Sequence, residues 1–416
     1  MRIASFQFVQ RNLEYISGHT IKANDQLGQM SSGKRVEHAS DDPVAANGIL
    51  NYKQELRKIE QYRNNIDLAN NRLSREEVGL TSGEIIAQQV KEIMLKANNP
   101  AITQQERNAF IAELDSHIDE MLDIANSTDE FGQAIFGGYQ TDSAPFTREL
   151  DGSVTYSGDS GQREAQISDN VKVAINHDGE LVFGGVPNPR GDFTVDYQLG
   201  GGARETSVTV ESAKITDRGS FTDAHPYNIK FVESTPPEPG KVSYTITDGN
   251  GNVTPAAPGV LPYQPGAKMT VDGVDIVIKG DAKVGDEIQL SANASSGRGQ
   301  NEVGVFDILN RAKAWLESDG HNPSGQGEIS DILSELDAMG SHFTRVRADT
   351  GNRMNRLDNQ LNTHIEMDLT LNKLRGGMED LDYAKAAGEF SQTMVALQAS
   401  QTMFGKMQSM SLFNYI

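Results

Sequence analysis

The two ends of this chain carry the same heptad repeat of apolar and small residues. Steps of three and four alternate without a break near the first residue and reappear close to the last one. The positions are Phe6, Val9, Leu13, Ile16, Thr20, Ala23, Leu27 and Met30 at one end, and Tyr383, Ala387, Phe390, Met394, Leu397, Gln401 and Phe404 at the other. A lone helix with one apolar stripe is only marginally stable in water, so each stripe needs a partner. We therefore predict that both ends are helices that form a coiled coil.

An amphipathic helix can also find its partner by packing on a globular core. The polar face of the first helix favours contacts between subunits instead, because it carries mainly amides, which cost less to desolvate than charges. We therefore interpret the termini as self-association surfaces. The large apolar side chains predicted to lie in the coiled coil and the subunit interface are Phe6, Leu13, Ile16, Leu27, Phe390, Leu397 and Phe404.

An acidic composition limits the partners of this chain. The 416 residues are enough for two or three domains, but only 37% of them are hydrophobic and the formal net charge is −21. Nucleic acids and anionic membrane surfaces attract clustered Lys and Arg, so neither is an expected partner. The sequence has no apolar run as long as a transmembrane helix.

The chain contains no cysteine. Disulfides, thiolate metal sites and cysteine nucleophiles are therefore excluded. The first twelve residues lack the apolar segment and cleavage site of a signal peptide, so we expect no conventional signal-peptide export.

The pattern changes from helical to β and back to helical along the chain. Asp42 and Pro43 predict a helix start, and Thr103 with Glu106 predicts a capping box for a further helix. Short β-branched runs separated by Gly, Pro, Asn and Asp then predict strands at Val171–Ile175, Thr206–Val210, Tyr227–Val232, Val242–Thr247, Val274–Ile278 and Glu287–Leu290. Helical periodicity returns over Val303–Leu316 and from about Glu328 toward Leu374.

This order predicts an α+β multidomain fold in which both chain ends form a long helical hairpin and an all-β domain is inserted in the middle. We expect a terminal coiled-coil domain of residues 1–38 and 377–416. We expect a helical rod of residues 39–135 and 301–376, and a β-rich outer domain of residues 136–300.

Two segments resemble functional motifs but lack residues that those motifs require. Gly158–Gly161 has the sequence GDSG, as found around a nucleophilic serine, which needs a histidine to activate it. All preceding histidines, however, fall in predicted helices or their connecting loops. Asp248, Asn250 and Asn252 match the start of a calcium loop whose sixth position should be Gly, yet that position is Val253. Both segments are interpreted as turns. We predict no catalytic residue, no metal site, no cofactor and no enzymatic activity.

Motifs at both ends resemble the bacterial flagellin family. They are Leu27, Ser32-Gly33-Lys34-Arg35-Val36 and Ala39-Ser40-Asp41-Asp42-Pro43 near the first residue, with Asp380-Leu381-Asp382-Tyr383-Ala384, Leu397-Gln398-Ala399-Ser400 and Ser411-Leu412-Phe413-Asn414-Tyr415-Ile416 near the last. The likeness covers roughly the first 135 and the last 115 residues, in the same order and at the same distance from the ends. The residues Phe136, Gly138, Thr141, Pro145 and Phe146 further resemble a segment of the family members that join the flagellar hook to the filament.

The resemblance implies a structural subunit with its terminal helices in the inner layer of a tubular assembly and its outer domain in solvent. Such a subunit is extracellular and leaves the cell through the flagellar type III export channel, which accounts for the missing cysteines and signal peptide. The implied partners are further copies in a ring, an adaptor protein on the hook side, flagellin on the filament side and an export chaperone at the C-terminal helix. The resemblance also implies that Lys34, Arg35, Asp41 and Asp42 make polar contacts within or between subunits.

Three other functions remain as alternatives. A flagellin filament subunit shares both termini, and only the segment from Phe136 to Phe146 favours the junction subunit over it. An extracellular adhesin would use the β insert for binding and the helices as a stalk. An enzyme in the insert lacks any recognisable set of catalytic residues.

Overall fold

The computed structural model describes residues 2–99, 101–198, 208–222, 225–234, 241–255, 259–292, 301–318 and 325–409. The helices within these residues are α1 (Arg2–Ser32), α2 (Pro43–Ala97), α3 (Gln104–Ala125), α4 (Val305–Glu317), α5 (Gly325–Glu379) and α6 (Tyr383–Ser409). A short π-helical segment covers Glu180–Gly184.

Both predicted helix starts are confirmed. The Asp42 carboxylate accepts a hydrogen bond of 3.0 Å from the Ala45 N–H, and α2 begins at Pro43. Thr103 accepts from the Glu106 N–H while the Glu106 carboxylate accepts from the Thr103 N–H, which completes the capping box of α3. These side chains satisfy N–H groups that have no partner inside the helix.

The middle of the chain is built of strands that pair antiparallel. They are β1 (Phe146–Arg148), β2 (Val154–Tyr156), β3 (Glu164–Ser168), β4 (Val171–Ala174), β5 (Val186–Pro187), β6 (Phe193–Gln198), β7 (Thr209–Ile215), β8 (Tyr227–Glu233), β9 (Val242–Thr247), β10 (Val253–Thr254), β11 (Leu261–Pro262), β12 (Lys268–Val271), β13 (Val274–Lys279), β14 (Glu287–Ala292) and β15 (Glu302–Val303). Five of the six predicted strands are confirmed within a residue or two. The sixth, predicted from Thr206, is described only from Thr209, and residues 206 and 207 lie outside the described part of the chain.

Two sheets share one β core. The larger sheet has the order β10-β9-β8-β14-β6, with β11 also on β9, and the smaller has the order β12-β13-β7. Tyr227, Ile229, Phe231, Ile276 and Ile288 are among their fully buried side chains. Helical chain ends with a strand-rich middle confirm the predicted fold class.

The chain divides into two compact units. One contains residues 1–65 and 359–416, and the other contains residues 66–358. The predicted three-domain division is not resolved by this partition and stays a prediction.

A second hydrophobic core lies within the unit of residues 66–358 and is mainly helical. It joins apolar side chains of α2, α3, α4 and α5 to Phe136, Phe146, Phe183 and Val186. Four aromatic rings surround Phe183, with centroid distances of 5.2 Å to Phe136 and Phe146, 6.1 Å to Phe306 and 6.0 Å to Phe343. β1, β2, the π-helical segment and β5 therefore pack with the helices, and the separate β core begins at Phe193.

The two chain segments that lead into and out of the β core are neighbours. β5 pairs with β15, and the Asn188 N–H donates to the Asn301 carbonyl at 2.7 Å. Arg190 forms a buried ion pair with Asp331 on α5, and the Tyr197 hydroxyl lies 3.1 Å from the same carboxylate. These contacts define a neck where the β core leaves the helices.

The two segments that imitate catalytic and calcium motifs form turns, as predicted. The Asp159 carboxylate accepts from the N–H group of Gly161 at 2.7 Å and from those of Tyr139 and Gln140 at 3.0 and 3.1 Å. It therefore holds its own turn and joins it to the preceding loop. Asp248 likewise accepts from Asn250 and Asn252 between β9 and β10. Among the described residues no cluster of His, Asp and Glu could hold a metal ion, and no described helix is long and apolar enough to cross a membrane.

Candidate subunit interface

The two terminal helices pair antiparallel within the unit of residues 1–65 and 359–416. Lys34 forms an antiparallel bridge with Asp380, and the Leu381 N–H donates to the Gly33 carbonyl at 2.9 Å. At the same end the Tyr383 hydroxyl donates to the Met30 carbonyl at 3.1 Å. From there α1 and α6 lie along each other, as the heptad repeats predicted.

Only part of each predicted apolar stripe lies on the face where α1 and α6 contact each other. The buried or half-buried residues at heptad spacing are Val9, Asn12, Ile16, His19, Ala23, Gln26 and Met30 on α1, and Ala386, Phe390, Thr393, Leu397, Ser400 and Phe404 on α6. We call these residues the inner seam. At every second position of the predicted stripe, the residue just before the predicted one faces the partner helix instead. Each helix is therefore rotated about its own axis relative to the prediction.

The remaining predicted positions face outward. Leu13 and Leu27 keep 49% and 55% of their surface exposed, and Met394 is also exposed. We call these three residues the outer stripe. Tyr383 is exposed as well, but its hydroxyl bonds α1 at the Met30 carbonyl. Ile16, Phe390, Leu397 and Phe404 lie in the inner seam, whereas the side chain of Phe6 lies outside the described residues. The predicted interface residues that the structure describes therefore split between an internal seam and an exposed surface.

Large apolar side chains alternate with small or polar ones along the inner seam. Because antiparallel helices advance by the same rise, steps of seven from the pair Met30 and Tyr383 bring Ala23 level with Phe390 and Ile16 level with Leu397. The layers between these contain Asn12, His19 and Gln26 on α1. Hydropathy ranks Leu13 and Leu27 above them, which is why the sequence pattern alone selected the wrong neighbours.

The turn between α1 and α2 is fastened by charged side chains, three of which were predicted as site residues. Lys34 lies 2.9 Å from the Glu379 carboxylate, and Lys53 on α2 lies 3.1 Å from the same oxygen. Arg35 lies 3.1 Å from Asp42 and donates to the Met378 carbonyl at 2.9 Å. The structure brings these predicted residues together at one end of the helix pair.

Asp41, the fourth predicted polar residue, shapes the turn itself. Its carboxylate accepts from the N–H groups of His38 at 2.8 Å and Glu37 at 3.1 Å, and these bonds lower the pKa of Asp41. The bond from the Ala45 N–H and the contact with Arg35 lower the pKa of Asp42 in the same way. Both carboxylates are therefore charged near neutral pH and stabilise the turn.

Sequence reasoning missed Glu379, which is the centre of this arrangement. Burial by itself would raise the pKa of Glu379, but hydrogen bonds from Lys34 and Lys53 outweigh it and lower the pKa. The Arg35 N–H also donates to the Glu379 carbonyl at 2.7 Å. Arg375, one turn earlier on α5, also lies 3.4 Å from the Glu379 carboxylate. The other partners, Lys34, Arg35 and Lys53, are more than 300 residues away, so no local pattern indicates the central role of Glu379.

A surface groove of about 810 Å³ lies beside this turn. Lys34, Val36 and His38 line one side, and Ile49 and Leu50 of α2 line the other. Leu50 and the neighbouring Val44 are exposed. The groove offers apolar contact area next to charges that are already paired, which suits protein contact better than the binding of a free ion.

Family models match both ends of the chain. The N-terminal helical region of bacterial flagellin matches residues 7–141, and its C-terminal helical region matches residues 333–416. Together the two regions take in more than half of the chain.

The flagellar hook-associated protein 3 of Escherichia coli (strain K12) is 30% identical over 183 residues, which are 44% of this chain and 57% of that protein. The chain thus matches little more than half the length of this relative. A crystal structure of flagellar hook associated protein-3 from Legionella pneumophila is 25% identical, has a TM-score of 0.64, and covers 79% of this chain and 99% of its own. Polar flagellin C of Vibrio parahaemolyticus is 21% identical over 398 residues, 94% of this chain and 92% of the flagellin.

Proposed function

Because the chain belongs to the bacterial flagellin family, we propose that it is a structural subunit of the flagellum that forms the junction between hook and filament. The observation that carries this proposal is the likeness to hook-associated protein 3 in both sequence and fold. Identity to that protein from Escherichia coli is 30%, compared with 21% to the Vibrio flagellin. The proposed work is mechanical, since the subunit would connect two different tubes through its two axial faces.

The proposed partners follow from this position. Copies of the chain would associate side by side in a ring, an adaptor protein would bind on the hook side, and flagellin would bind on the filament side. The outer stripe supplies large apolar side chains that are exposed on this helix pair. Burying a Leu side chain contributes roughly 1.5 to 3 kcal/mol, so a few such contacts repeated around a ring add up to a stable assembly.

Residue roles divide between the two surfaces. Leu13 and Leu27 are proposed to contact neighbouring subunits, while Ile16, Phe390, Leu397 and Phe404 hold α1 on α6. Lys34, Arg35, Asp41 and Asp42 hold the turn that connects α1 to α2, and the groove beside that turn would receive an apolar segment of a neighbour.

Location and export are proposed on the same grounds. The subunit would be extracellular, in the flagellum, after passing through the type III export channel in an unfolded state. A chain without cysteine cannot form disulfides that would block such a passage. An export chaperone would bind at the C-terminal helix. We also propose that the subunit has a purely structural role and is not an enzyme.

The second candidate function is that of a flagellin filament subunit. It is favoured by the match to the Vibrio flagellin over 94% of this chain. The two functions differ in polymerisation. A filament subunit polymerises with further copies of itself into long filaments, and a junction subunit does not.

Negative-stain microscopy of the purified protein after raising the salt concentration, with and without flagellin seeds, distinguishes them. We expect no long filaments from the protein alone, and we expect it to attach to or nucleate the ends of flagellin seeds. Long filaments of this protein alone would identify a flagellin instead.

Two matched variants connect this assay to the outer stripe. Leu27→Ser should weaken attachment to seeds, because it removes an exposed apolar contact at the proposed interface. Leu150→Ser changes a fully exposed leucine in the turn between β1 and β2, away from the helix pair, and should leave attachment unchanged. Equal attachment of both variants would contradict the assignment of Leu27.

A further inference from the structure

One carboxylate of α5 binds both sheets of the β core. Asp331 is 4% exposed and forms a buried ion pair with Arg190, in the segment between β5 and β6. The Tyr197 hydroxyl of β6 donates to the two Asp331 oxygens at 3.2 and 3.1 Å, and it accepts from the Val210 N–H of β7 at 3.0 Å. Because β6 lies in the larger sheet and β7 in the smaller one, both sheets are joined to α5 at this point. We call Asp331, Arg190 and Tyr197 the neck network.

The Tyr197 ring packs directly on the backbone of α5. A Cβ atom added at Gly327 would lie 2.8 Å from carbon atoms of this ring, which is too close for two carbon atoms. Gly327 is one helical turn before Asp331, so the ring and its hydroxyl contact the same face of α5. The glycine therefore permits the close approach that brings the hydroxyl to the carboxylate.

The backbone of Arg190 is fixed on the β core. The Ala213 N–H of β7 donates to the Arg190 carbonyl at 2.7 Å, and the Asp192 N–H donates to the Ala213 carbonyl at 2.9 Å. Arg190 therefore moves with the β core, and its ion pair with Asp331 is a contact between that core and the helices.

The apolar side chains on the two sides of the neck network belong to separate clusters. Ile329 and Ile332, which flank Asp331 on α5, lie in the mainly helical core, whereas Tyr197 lies in the β core. The network is costly, because the buried Arg190 Nε has no hydrogen-bond partner among the described residues. Buried ion pairs often contribute no more stability than apolar residues of similar volume, but their hydrogen bonds require one geometry.

We propose that the neck network sets the orientation of the β core on the helices. Apolar contacts are non-directional, so apolar packing alone would permit several orientations at the neck. The network selects one of them, because Arg190 and Tyr197 must reach the same carboxylate. Without the network the β core would stay folded and attached through β5 and β15, but it would turn about these two paired strands.

A fixed orientation has a consequence for any assembly of identical chains. Each copy with a complete neck network presents the same face of its β core to the surroundings. A β core that turns would present different faces in different copies, although every copy would be correctly folded.

Distances between two spin labels on the full-length chain test the proposal. The chain has no cysteine, so Ala112→Cys on α3 and Lys230→Cys on β8, both at exposed positions, place one label on each side of the neck. Pulsed electron spin resonance then gives the distribution of distances between the labels. We expect one narrow distribution for the labelled chain. Tyr197→Phe, Asp331→Asn and the double variant should lose it and give a broader or displaced distribution.

Tyr263→Phe is the matched control. The Tyr263 hydroxyl donates to the Gly280 carbonyl at 2.7 Å, and both residues lie in the β core. This variant removes the same atom as Tyr197→Phe but leaves the neck network complete, so the narrow distribution should remain. An unchanged distribution in the double variant would overturn the proposal, and so would equal broadening in Tyr263→Phe and Tyr197→Phe.

Hydrogen exchange of the same variants distinguishes turning from unfolding. β8 and β14 are neighbouring strands of the larger sheet, and their amides should stay protected while the β core turns as a folded unit. Tyr197→Phe keeps the ring on Gly327 and removes only one oxygen, so we expect this variant to remain folded. Broadening with loss of protection in β8 and β14 would overturn the proposal, because the network would then maintain the fold of the β core rather than its orientation.

Discussion

At the scale of single residues, His177 connects two helices through two carboxylates. Its Nδ1 bonds the fully buried Glu76 of α2, and its Nε2 lies 2.9 Å from Asp349 of α5. The Thr350 hydroxyl donates to the same Glu76 carboxylate at 3.2 Å. Burial alone would lower the pKa of His177, but its bonds to Glu76 and Asp349 outweigh burial and raise it. An imidazolium that donates from both nitrogens fits this position.

The raised pKa of His177 predicts how stability depends on pH. A group whose pKa is higher in the folded state stabilises the fold fully below its unfolded value, here 6.5, and this contribution disappears as the pH rises through the folded value. We expect the free energy of unfolding of His177→Gln to depend less on pH above 6.5 than that of the natural chain. Urea unfolding at several pH values measures this difference, and parallel curves for both proteins would contradict it.

Arg72 provides a second prediction at this scale. It lies 2.8 Å from Asp129 and donates to the Ala134 carbonyl at 3.0 Å, and both charged side chains are almost fully buried. Arg72→Ala leaves the Asp129 charge buried without its partner, so we expect a loss of about 3 to 5 kcal/mol in the free energy of unfolding.

Arg75 is the matched control on the same helix. It pairs with Glu130 at 3.3 Å in a solvent-accessible position. Arg75→Ala should cost less than about 1 kcal/mol, since exposed ion pairs contribute little. Similar losses for the two variants in urea unfolding would show that burial does not determine the strength of these pairs.

At the scale of secondary-structure elements, the heptad repeats predicted that α1 and α6 pair but not their rotation. Two overlapping stripes share Val9, Ile16, Ala23 and Met30, and hydropathy favours the one that contains Leu13 and Leu27. The stripe that packs inward is the other one. The turn after α1, tied to residues 379–381, helps to fix the orientation, and such contacts between distant segments leave no local pattern.

Helix caps and strands were more predictable, because their causes are local. The Thr103 and Glu106 box and the alternation in β9 or β13 act through neighbouring residues only. The bond between Glu76 and His177 joins residues 101 positions apart, and neither residue belongs to a periodic pattern. Sequence reasoning therefore identified the elements and the pairing of the terminal helices but not the polar contacts between elements.

The aromatic cluster around Phe183 gives a prediction for the packing of elements. This ring, only 2% exposed, contacts aromatic side chains from β1, α4, α5 and the segment before β1. Phe183→Ala leaves a cavity among them and should cost about 3 to 5 kcal/mol. Phe131, which is 70% exposed, is the control, and Phe131→Ala should change stability little. Thermal unfolding of both variants compares them, and equal midpoints would contradict the role of the cluster.

At the scale of the whole molecule, the neck predicts that the β core can be removed. Asn188 and Asn301 are hydrogen-bonded neighbours, so a two-residue Asn-Gly turn can replace residues 189–300 and join β5 to β15. The side chains of the helical core, from Leu80 to Val346, all lie outside the removed segment. We expect the shortened chain to keep cooperative unfolding and helical circular dichroism.

The contrary result is also informative. A shortened chain that aggregates or melts without cooperativity would show that the β core stabilises the helices. Asp331→Asn in the full-length chain separates these effects, because it weakens the contact with Arg190 at the neck while the β core stays in place.

The adjacent strands of the neck also bear on how such a chain can evolve. The two ends of an inserted segment lie side by side at β5 and β15. The distance between these ends therefore does not depend on the length of the insertion. Recombination could therefore lengthen, shorten or exchange the sequence beyond β5 without disturbing the terminal helices. The ends of the chain would stay under the constraint of assembly while the middle diverges freely between lineages.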